Sequence, residues 1–332
     1  MKIFEGGTMI LILTDQYDKH ADAVIELISK ENAKFFRFNL DVNSLKKTFL
    51  SFNGTEWFIT VNGKSISPSE ISCVWHRRSF VEMTLEEQVD NSADFKIWKN
   101  EWNKTLLGLY LSLIEVPWLN PIRKSHKAEN KYLQFQIAQK VGFTTPKMIV
   151  TNEKQKLLQF YEINNPVVLK MMSQDFYQTS ENTFKGIYVN KVSYDDLLQF
   201  EEYSENPIVL QQYIPKKYEV RYTVVGDKHF VCKIESQKSK IANIDWRRYD
   251  IANTPHFAIE PPTEVKENVR KFMSDMDLEY GALDFIVTEK DEWIFLEVNS
   301  MGQWLWIEDL TGLPISELIC SWLTSKYRER GC

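Results

Sequence analysis

Two apolar runs near the C-terminus, Ala282–Thr288 and Trp293–Val298, constrain this chain more than any other feature. Each reads as a buried strand, and each carries an acid: Asp284 in Gly-Ala-Leu-Asp-Phe and Glu297 in Phe-Leu-Glu-Val-Asn. The polar stretch Glu289-Lys290-Asp291-Glu292 joins them as a hairpin, which sets Asp284 beside Glu297, while Asn299 shares the strand face of Glu297. A single acid in an apolar strand is ordinarily a solvated outer-face residue; three oxygen-bearing side chains converging on one point are not. Magnesium takes oxygen ligands and keeps one or two carboxylates besides substrate phosphates, so Asp284, Glu297 and Asn299 form a candidate site for nucleotide-bound magnesium.

A nucleotide brings phosphates, and phosphates call for cations. Lys170 ends the apolar run Pro166-Val167-Val168-Leu169, where a charge is costly unless it meets an anion. Lys131 lies off the Leu133/Ile137/Val141 stripe of a helix, so core packing does not account for it. An adenine ring needs a backbone edge and a ribose needs a carboxylate; Gln211-Gln212-Tyr213-Ile214 and Glu219 can supply both, the former through the backbone of Gln212 and Ile214. Arg221, Lys233, Arg247 and Arg248 lie on or beside the same late strands, and Arg221 shares a face with Glu219.

The rest of the chain supplies a frame for these residues. It opens with strand and helix signals, Met9–Leu13, His20–Lys30 and Phe35–Phe38, but no G-x-G-x-x-G turn follows the first strand, which disfavours a nicotinamide enzyme. Phe95, Trp98, Trp102, Leu106, Leu109 and Leu113 recur at helical spacing and predict a long helix whose stripe is core. Ser125 is the expected N-cap of a helix ended by Gly142 and Pro146. Strands are expected at 147–150 and 167–172, a mobile loop at 173–185, and a helix at 194–203. The last unit is predicted to be strand-rich, with strands at 208–214, 219–225 and 229–235 and a helix near 264–276. The fold class is mixed α/β (α+β), in three units spanning 1–120, 121–206 and 207–332.

With 332 residues, 43% of them hydrophobic, the chain is long enough for several cores. A formal charge of −6 leaves no basic field for nucleic acid, which is not an expected partner. The four cysteines, Cys73, Cys232, Cys320 and Cys332, have neither C-x-x-C nor Cys/His ligand spacing and read as reduced thiols. No apolar run approaches the ~20 residues of a membrane span, and residues 1–8 carry no signal pattern, so a soluble, cytoplasmic protein without a membrane partner is expected.

The order of parts resembles the ATP-grasp superfamily: helix lysine, strand lysine, covering loop, adenine linker, ribose carboxylate, then Asp…Glu-x-Asn. Within it the chain is similar to the graspetide synthetases typified by microviridin ligases. Three motifs carry that closer match: Val74-Trp75-His76-Arg77-Arg78; Trp98…Glu101-Trp102-Asn103 leading to Trp118-Leu119-Asn120-Pro121; and Leu296–Trp306 with its Gly-Gln-Trp-Leu-Trp ending. The resemblance covers almost everything from Met9 onward and implies an ATP-grasp fold with an N-terminal α/β lobe, a central lobe and a C-terminal strand-rich lobe. It implies ATP and Mg2+ as cofactors, with Lys131 and Lys170 on the phosphates, Gln211, Gln212, Tyr213 and Ile214 at adenine, Glu219 at ribose, and Asp284, Glu297 and Asn299 on magnesium.

Three positions depart from the family pattern. Asn130 stands where many members have aspartate, the loop at 173–186 has one glycine, and Ala282 replaces an arginine two residues before the metal aspartate. Transition-state charge then falls to Arg221, helped by Lys233 or Arg247. The implied reaction phosphorylates an Asp or Glu side chain of a ribosomally made precursor peptide and joins it to a Ser or Thr hydroxyl as an ω-ester, the favoured product, or to a Lys amine as an amide. A leader segment is expected to dock near Asp195, Asp196 and the 243–249 region with Arg248, and a homodimer is expected by family analogy alone. Two other readings stay open: an amino-acid or glutamate ligase with the same machinery, and a non-catalytic peptide-binding scaffold.

Overall fold

The computed structural model describes residues 8–330 except 91, 171, 173–175, 181–182, 187–188 and 240–252. The first part runs β1 (Met9–Thr14), α1 (Lys19–Lys30), β2 (Phe35–Asn39), α2 (Val42–Leu45), β3 (Phe49–Phe52), β4 (Trp57–Val61), β5 (Lys64–Ile66), β6 (Ile71–His76), α3 (Leu85–Gln88), α4 (Ala93–Ser112) and β7 (Trp118–Leu119). β1, β2, β6 and β7 pair in parallel in the order β2-β1-β6-β7, and β3-β4-β5 form a separate antiparallel meander. α1 begins where the Asp18 carboxylate accepts from the amides of His20 and Ala21. The predicted stripe of α4 is core: Leu106 and Leu109 are buried, and Phe95, Trp98 and Trp102 pack against the same cluster.

The middle of the chain comprises α5 (Ile122–Ala128), α6 (Lys131–Lys140), β8 (Met148–Glu153), α7 (Lys154–Asn164), β9 (Val167–Lys170), β10 (Phe176–Ser180), β11 (Thr183–Gly186), β12 (Asn190–Val192), α8 (Tyr194–Leu198) and β13 (Tyr203–Gln212). Four corrections to the sequence reading fall here. Ser125 lies inside α5, and the cap of the stripe-bearing helix is Asn130, whose side chain accepts from the Leu133 amide at 3.0 Å. The stretch expected to be a loop carries the antiparallel hairpin β10–β11. The helix expected at 194–203 stops at Leu198. The strand grouped with the last unit is β13, which pairs with β8 and β9 in a sheet ordered β12-β9-β13-β8.

The last part holds β14 (Tyr218–Val225), β15 (Lys228–Ile234), β16 (His256–Ala258), α9 (Thr263–Met276), β17 (Tyr280–Val287), β18 (Trp293–Asn299), α10 (Leu305–Thr311) and α11 (Ile315–Arg330). Its antiparallel sheet is ordered β16-β15-β14-β17-β18. Alternation sends Val220, Tyr222, Leu283, Phe285, Phe295 and Val298 to one face, where they pack with Phe272 of α9 and Ile137 of α6. α10 and α11 return to the first sheet: Ile315, Ile319 and Leu323 share a cluster with Ile10, Ile12 and Trp75. No helix among the described residues is long and apolar enough to cross a membrane.

Two imidazoles, His76 buried and His20 half-buried, tie this fold to pH. Burial, with the charges of His126, Arg77 and Arg78 adding to it, pushes His76 down to about 3, and burial and Arg77 push His20 down to about 4. Between about 6.5 and these values the unfolded chain binds protons that the native chain refuses, so stability falls as pH falls. For His76, only 2% exposed, the loss between pH 7 and pH 5 is expected to be about 2 kcal/mol. Urea denaturation at both pH values checks this, and His76→Gln should flatten the dependence by that amount.

Candidate active site

The site is built on three neighbouring antiparallel strands. Arg221 of β14 opposes Asp284 of β17, Asp284 opposes Glu297 of β18, and Ala282 opposes Asn299. Opposed residues project to the same face, as do residues two apart on one strand, so Glu219, Arg221, Asp284, Glu297 and Asn299 share a face. It is the face opposite the aromatic core. One irregularity makes this possible. Phe295 opposes Phe285 while Glu297 opposes Asp284, which leaves Leu296 as an extra residue in β18. Without that bulge Phe295 and Glu297 would point the same way; with it, Phe295 enters the core and Glu297 the cleft.

Asp284, Glu297 and Glu219 are 6%, 5% and 4% exposed, burial that a carboxylate tolerates only with a partner. Each has a cation. Arg221 Nε lies 3.3 Å from Asp284 Oδ1. Lys131, the first residue of α6, forms an ion pair with Glu297 Oε2. Lys216 Nζ lies 2.5 Å from Glu219 Oε1, which also accepts from Ser236 Oγ at 2.8 Å. The register of α6 along β18 is fixed by Gln134, whose Nε2 donates to Val298 O at 3.0 Å and whose Oε1 accepts from the Val298 amide at 3.0 Å.

These groups open into a cleft between the last sheet and the β12-β9-β13-β8 sheet. Pro146, Val168, Val189, Ile214, Ile286 and Leu296 supply apolar walls; Lys170, Gln211, Gln212, Tyr213, Lys216, Glu219, Asp284 and Glu297 supply the polar lining. A slot with apolar walls and convergent charged and polar groups suits a flat, phosphorylated small molecule. In the linker, the Gln212 amide donates to Lys147 O and the Tyr213 amide to Pro166 O, each at 2.8 Å. Those two donors are committed to the fold.

Of the residues singled out in the sequence, Lys170, Gln211, Gln212, Tyr213, Ile214, Glu219, Asp284 and Glu297 line the cleft, while Arg221, Lys131 and Asn299 adjoin its carboxylates through the pairings above. Lys233 does not. It opposes Val220 rather than Arg221, which puts it on the other face, with its Nζ 2.8 Å from Glu235 and 4.8 Å from the Tyr218 ring centre. Arg247 and Arg248 lie outside the described residues. Asp196 closes a capping box with Ser193, its Oδ2 accepting at 2.7 Å from the Ser193 amide, and Asp195 is exposed beside it. Lys216 and Ser236 escaped the sequence reading; the only signal for Lys216 was a lysine three residues ahead of Glu219.

The candidate donor set is two carboxylates and a carboxamide, all hard oxygen ligands; among the described residues no group of three or more His, Cys, Asp or Glu is placed to hold a metal ion. Chemically, the arrangement can hold a polyphosphate and a hard divalent cation and stabilise charge on a transferring phosphoryl group.

The family model of the MvdD pre-ATP grasp domain matches residues 9–126, and that of the RimK-like ATP-grasp domain matches residues 128–323. A search of curated protein sequences finds no match. Among solved structures, the chain is similar to a RiPP-associated ATP-grasp ligase of Chryseobacterium gregarium in complex with ADP and a leader and core peptide, at 30% identity and TM-score 0.85 over 96% of this chain and 97% of that one. It is also similar to the macrocyclase MdnC of Microcystis aeruginosa MRC bound with precursor peptide MdnA, at 27% identity and TM-score 0.84 over 96% and 100%. Macrocyclase MdnB of the same organism matches at 30% identity and TM-score 0.76 over 95% and 99%. With the cleft, its paired carboxylates and these matches together, the chain belongs to the RimK-like ATP-grasp family, as an ATP-dependent carboxylate ligase of the graspetide-synthetase group.

Proposed function

We propose that this ligase cross-links a ribosomally made precursor peptide, activating Asp or Glu side chains and joining them to Ser or Thr hydroxyls, or to Lys amines. The observation that carries the reading is the cleft itself, where three buried carboxylates, each with its own cation, face one slot with apolar walls. The solved relatives at 27–30% identity, two of them holding precursor peptides, supply the substrate class.

In this reading the linker Gln211–Ile214 receives adenine through its carbonyls and the Ile214 amide, and Glu219, oriented by Lys216 and Ser236, receives the ribose hydroxyls. Lys131 and Lys170 neutralise phosphates. Asp284, Glu297 and Asn299 would hold Mg2+, which when bound would supply charge neutralisation for the polyphosphate. A peptide carboxylate oxygen attacks the γ-phosphorus and the bridging P–O bond breaks, its electron pair leaving with ADP. The acceptor oxygen or nitrogen then attacks the acyl carbon; the C–O bond to phosphate breaks, phosphate departs with the electron pair, and the acceptor proton passes to solvent. Arg221, held at Asp284, is the cation assigned to the charge that develops during transfer. The peptide leader is assigned to the surface around Asp195, and the site of action to the cytoplasm.

Intact-mass analysis of a candidate precursor incubated with enzyme, ATP and magnesium tests this. The expected result is loss of about 18 Da per bond with release of ADP, reversed by mild alkali if the bond is an ester. A mass increase by whole residues would replace this reading with an amino-acid ligase, and an unchanged mass without ADP release would replace it with a scaffold.

A further inference from the structure

The motif Val74-Trp75-His76-Arg77-Arg78 has no part in the nucleotide cleft, yet Arg77 is among the most deeply buried charges in the protein, 2% exposed. It lies just beyond the carboxyl end of β6. Its Nε donates to Asp18 Oδ2 at 3.1 Å, and the guanidinium lies 4.9 Å from the Trp304 ring centre. Burying a guanidinium is costly, and the pairing with Asp18 already neutralises it. What the pairing leaves over is directed across the molecule: Nη1 donates to Met301 O at 2.8 Å and lies 3.4 Å from Gly302 O.

Those carbonyls belong to the turn that follows Asn299, and the turn is gripped from several sides. Tyr280 Oη donates to Gly302 O at 2.7 Å, Asn120 Nδ2 donates to Ser300 O at 3.0 Å, and Glu129 Oε1 accepts from both the amide and the hydroxyl of Ser300. Gly302 is pressed flush against the strands. A Cβ placed on it would fall 2.5 Å from the Ala282 Cβ and 3.4 Å from the Asn299 Cβ. The turn therefore cannot shift without shifting Asn299, and Asn299 opposes Ala282, two residues from Asp284.

We propose that Arg77 is a positioning residue for the metal: by holding the 301–302 carbonyls from the end of β6, it keeps the Asn299 carboxamide in line with Asp284 and Glu297. The inference rests on the metal reading of those three residues given above. Groups that orient metal ligands without touching the metal are worth about 10- to 100-fold in affinity. Arginine serves here where lysine does not, because a planar fork reaches Asp18 and the turn at once, whereas an ammonium reaches one of them.

The test is Mn2+ binding, followed by the EPR signal of the ion, to the ADP-loaded full chain, with ADP affinity in EDTA measured alongside. Arg77→Lys is expected to weaken Mn2+ binding about 10- to 100-fold, as Asn299→Ala does directly, and Tyr280→Phe about 3- to 10-fold, with metal-free ADP affinity unchanged in all three. Unchanged Mn2+ affinity in Arg77→Lys and Tyr280→Phe, with a clear loss in Asn299→Ala, overturns the role of Arg77 and leaves the metal site standing. An equal loss of metal-free ADP affinity in Arg77→Lys also overturns it, since the residue then supports the lobe rather than the metal. Unchanged affinity in Asn299→Ala and Asp284→Asn removes the metal reading and this inference together. Should Arg77→Lys fail to fold, Tyr280→Phe decides on the same criterion, because it removes one hydroxyl from the same carbonyl and no charge.

Discussion

Replacing Asp284 with asparagine is expected to slow peptide-dependent ADP release by about 1000-fold or more, while changing metal-free nucleotide affinity by less than about 10-fold. The substitution preserves shape and removes one negative charge from the centre of the site. Two losses follow from that one charge. The candidate magnesium set drops from two carboxylates to one, and Arg221, whose side chain is 7% exposed, loses the carboxylate that faces it at 3.3 Å. Removing one partner of a buried pair costs about 3–5 kcal/mol, somewhat less here because the asparagine oxygen still accepts. Urea denaturation should therefore be run beside the kinetics, and rates compared at a temperature where both proteins are fully folded. A variant that turns over within about 10-fold of wild type would remove Asp284 from the chemistry.

The parts of this site that sequence made legible are those in which local alternation carries the information. Asp284 and Glu297 stand out because they interrupt apolar runs, and the short polar stretch between the runs leaves little choice of pairing. What the sequence concealed depends on register between strands far apart in the chain. Arg221 is placed by its spacing from Glu219 on one strand, whereas the face of Lys233 depends on the β14–β15 pairing, which sets it against Val220 and sends it to the opposite face. The extra residue at Leu296 is likewise invisible to strict period-two reading, although it alone reconciles a core Phe295 with a cleft-facing Glu297. β13 follows the same rule: next in sequence to the strands of the last unit, it pairs with β8 and β9.

The three subgroup motifs show the same division. Trp118, Trp304, Arg77 and Asn120 of these motifs are all buried. Their meeting place was not predictable, because it is made by α10 and α11 returning to the first sheet from the far end of the chain. Asn120 illustrates the result: its side chain donates to Tyr280 O at 2.8 Å and Ser300 O at 3.0 Å and accepts from the amides of Glu279 and Tyr280, joining the start of β17 to the end of β18. A side chain that satisfies four backbone groups at once is a joint, and the candidate metal residues lie on the strands it joins.

Glu219 offers a sharper separation of stability from function. Its carboxylate neutralises Lys216, and the two side chains are 6% and 5% exposed. Glu219→Ala is expected to destabilise the protein by about 3–5 kcal/mol, because the Lys216 ammonium stays buried without the carboxylate that neutralises it. It is also expected to weaken nucleotide binding about 100-fold if two ribose hydroxyls donate to it, each such charged hydrogen bond being worth about 1.5–3 kcal/mol. The paired substitution Lys216→Met with Glu219→Leu breaks the correlation. Replacing a buried ion pair by apolar groups of similar size is close to neutral, so urea denaturation should return to near the wild-type midpoint while calorimetric ADP affinity stays low. Recovery of both quantities would make the Lys216–Glu219 pair a structural element of the cleft wall, and the ribose would have to be held elsewhere. Recovery of stability alone makes Glu219 a ligand whose burial the fold sustains with Lys216 and Ser236.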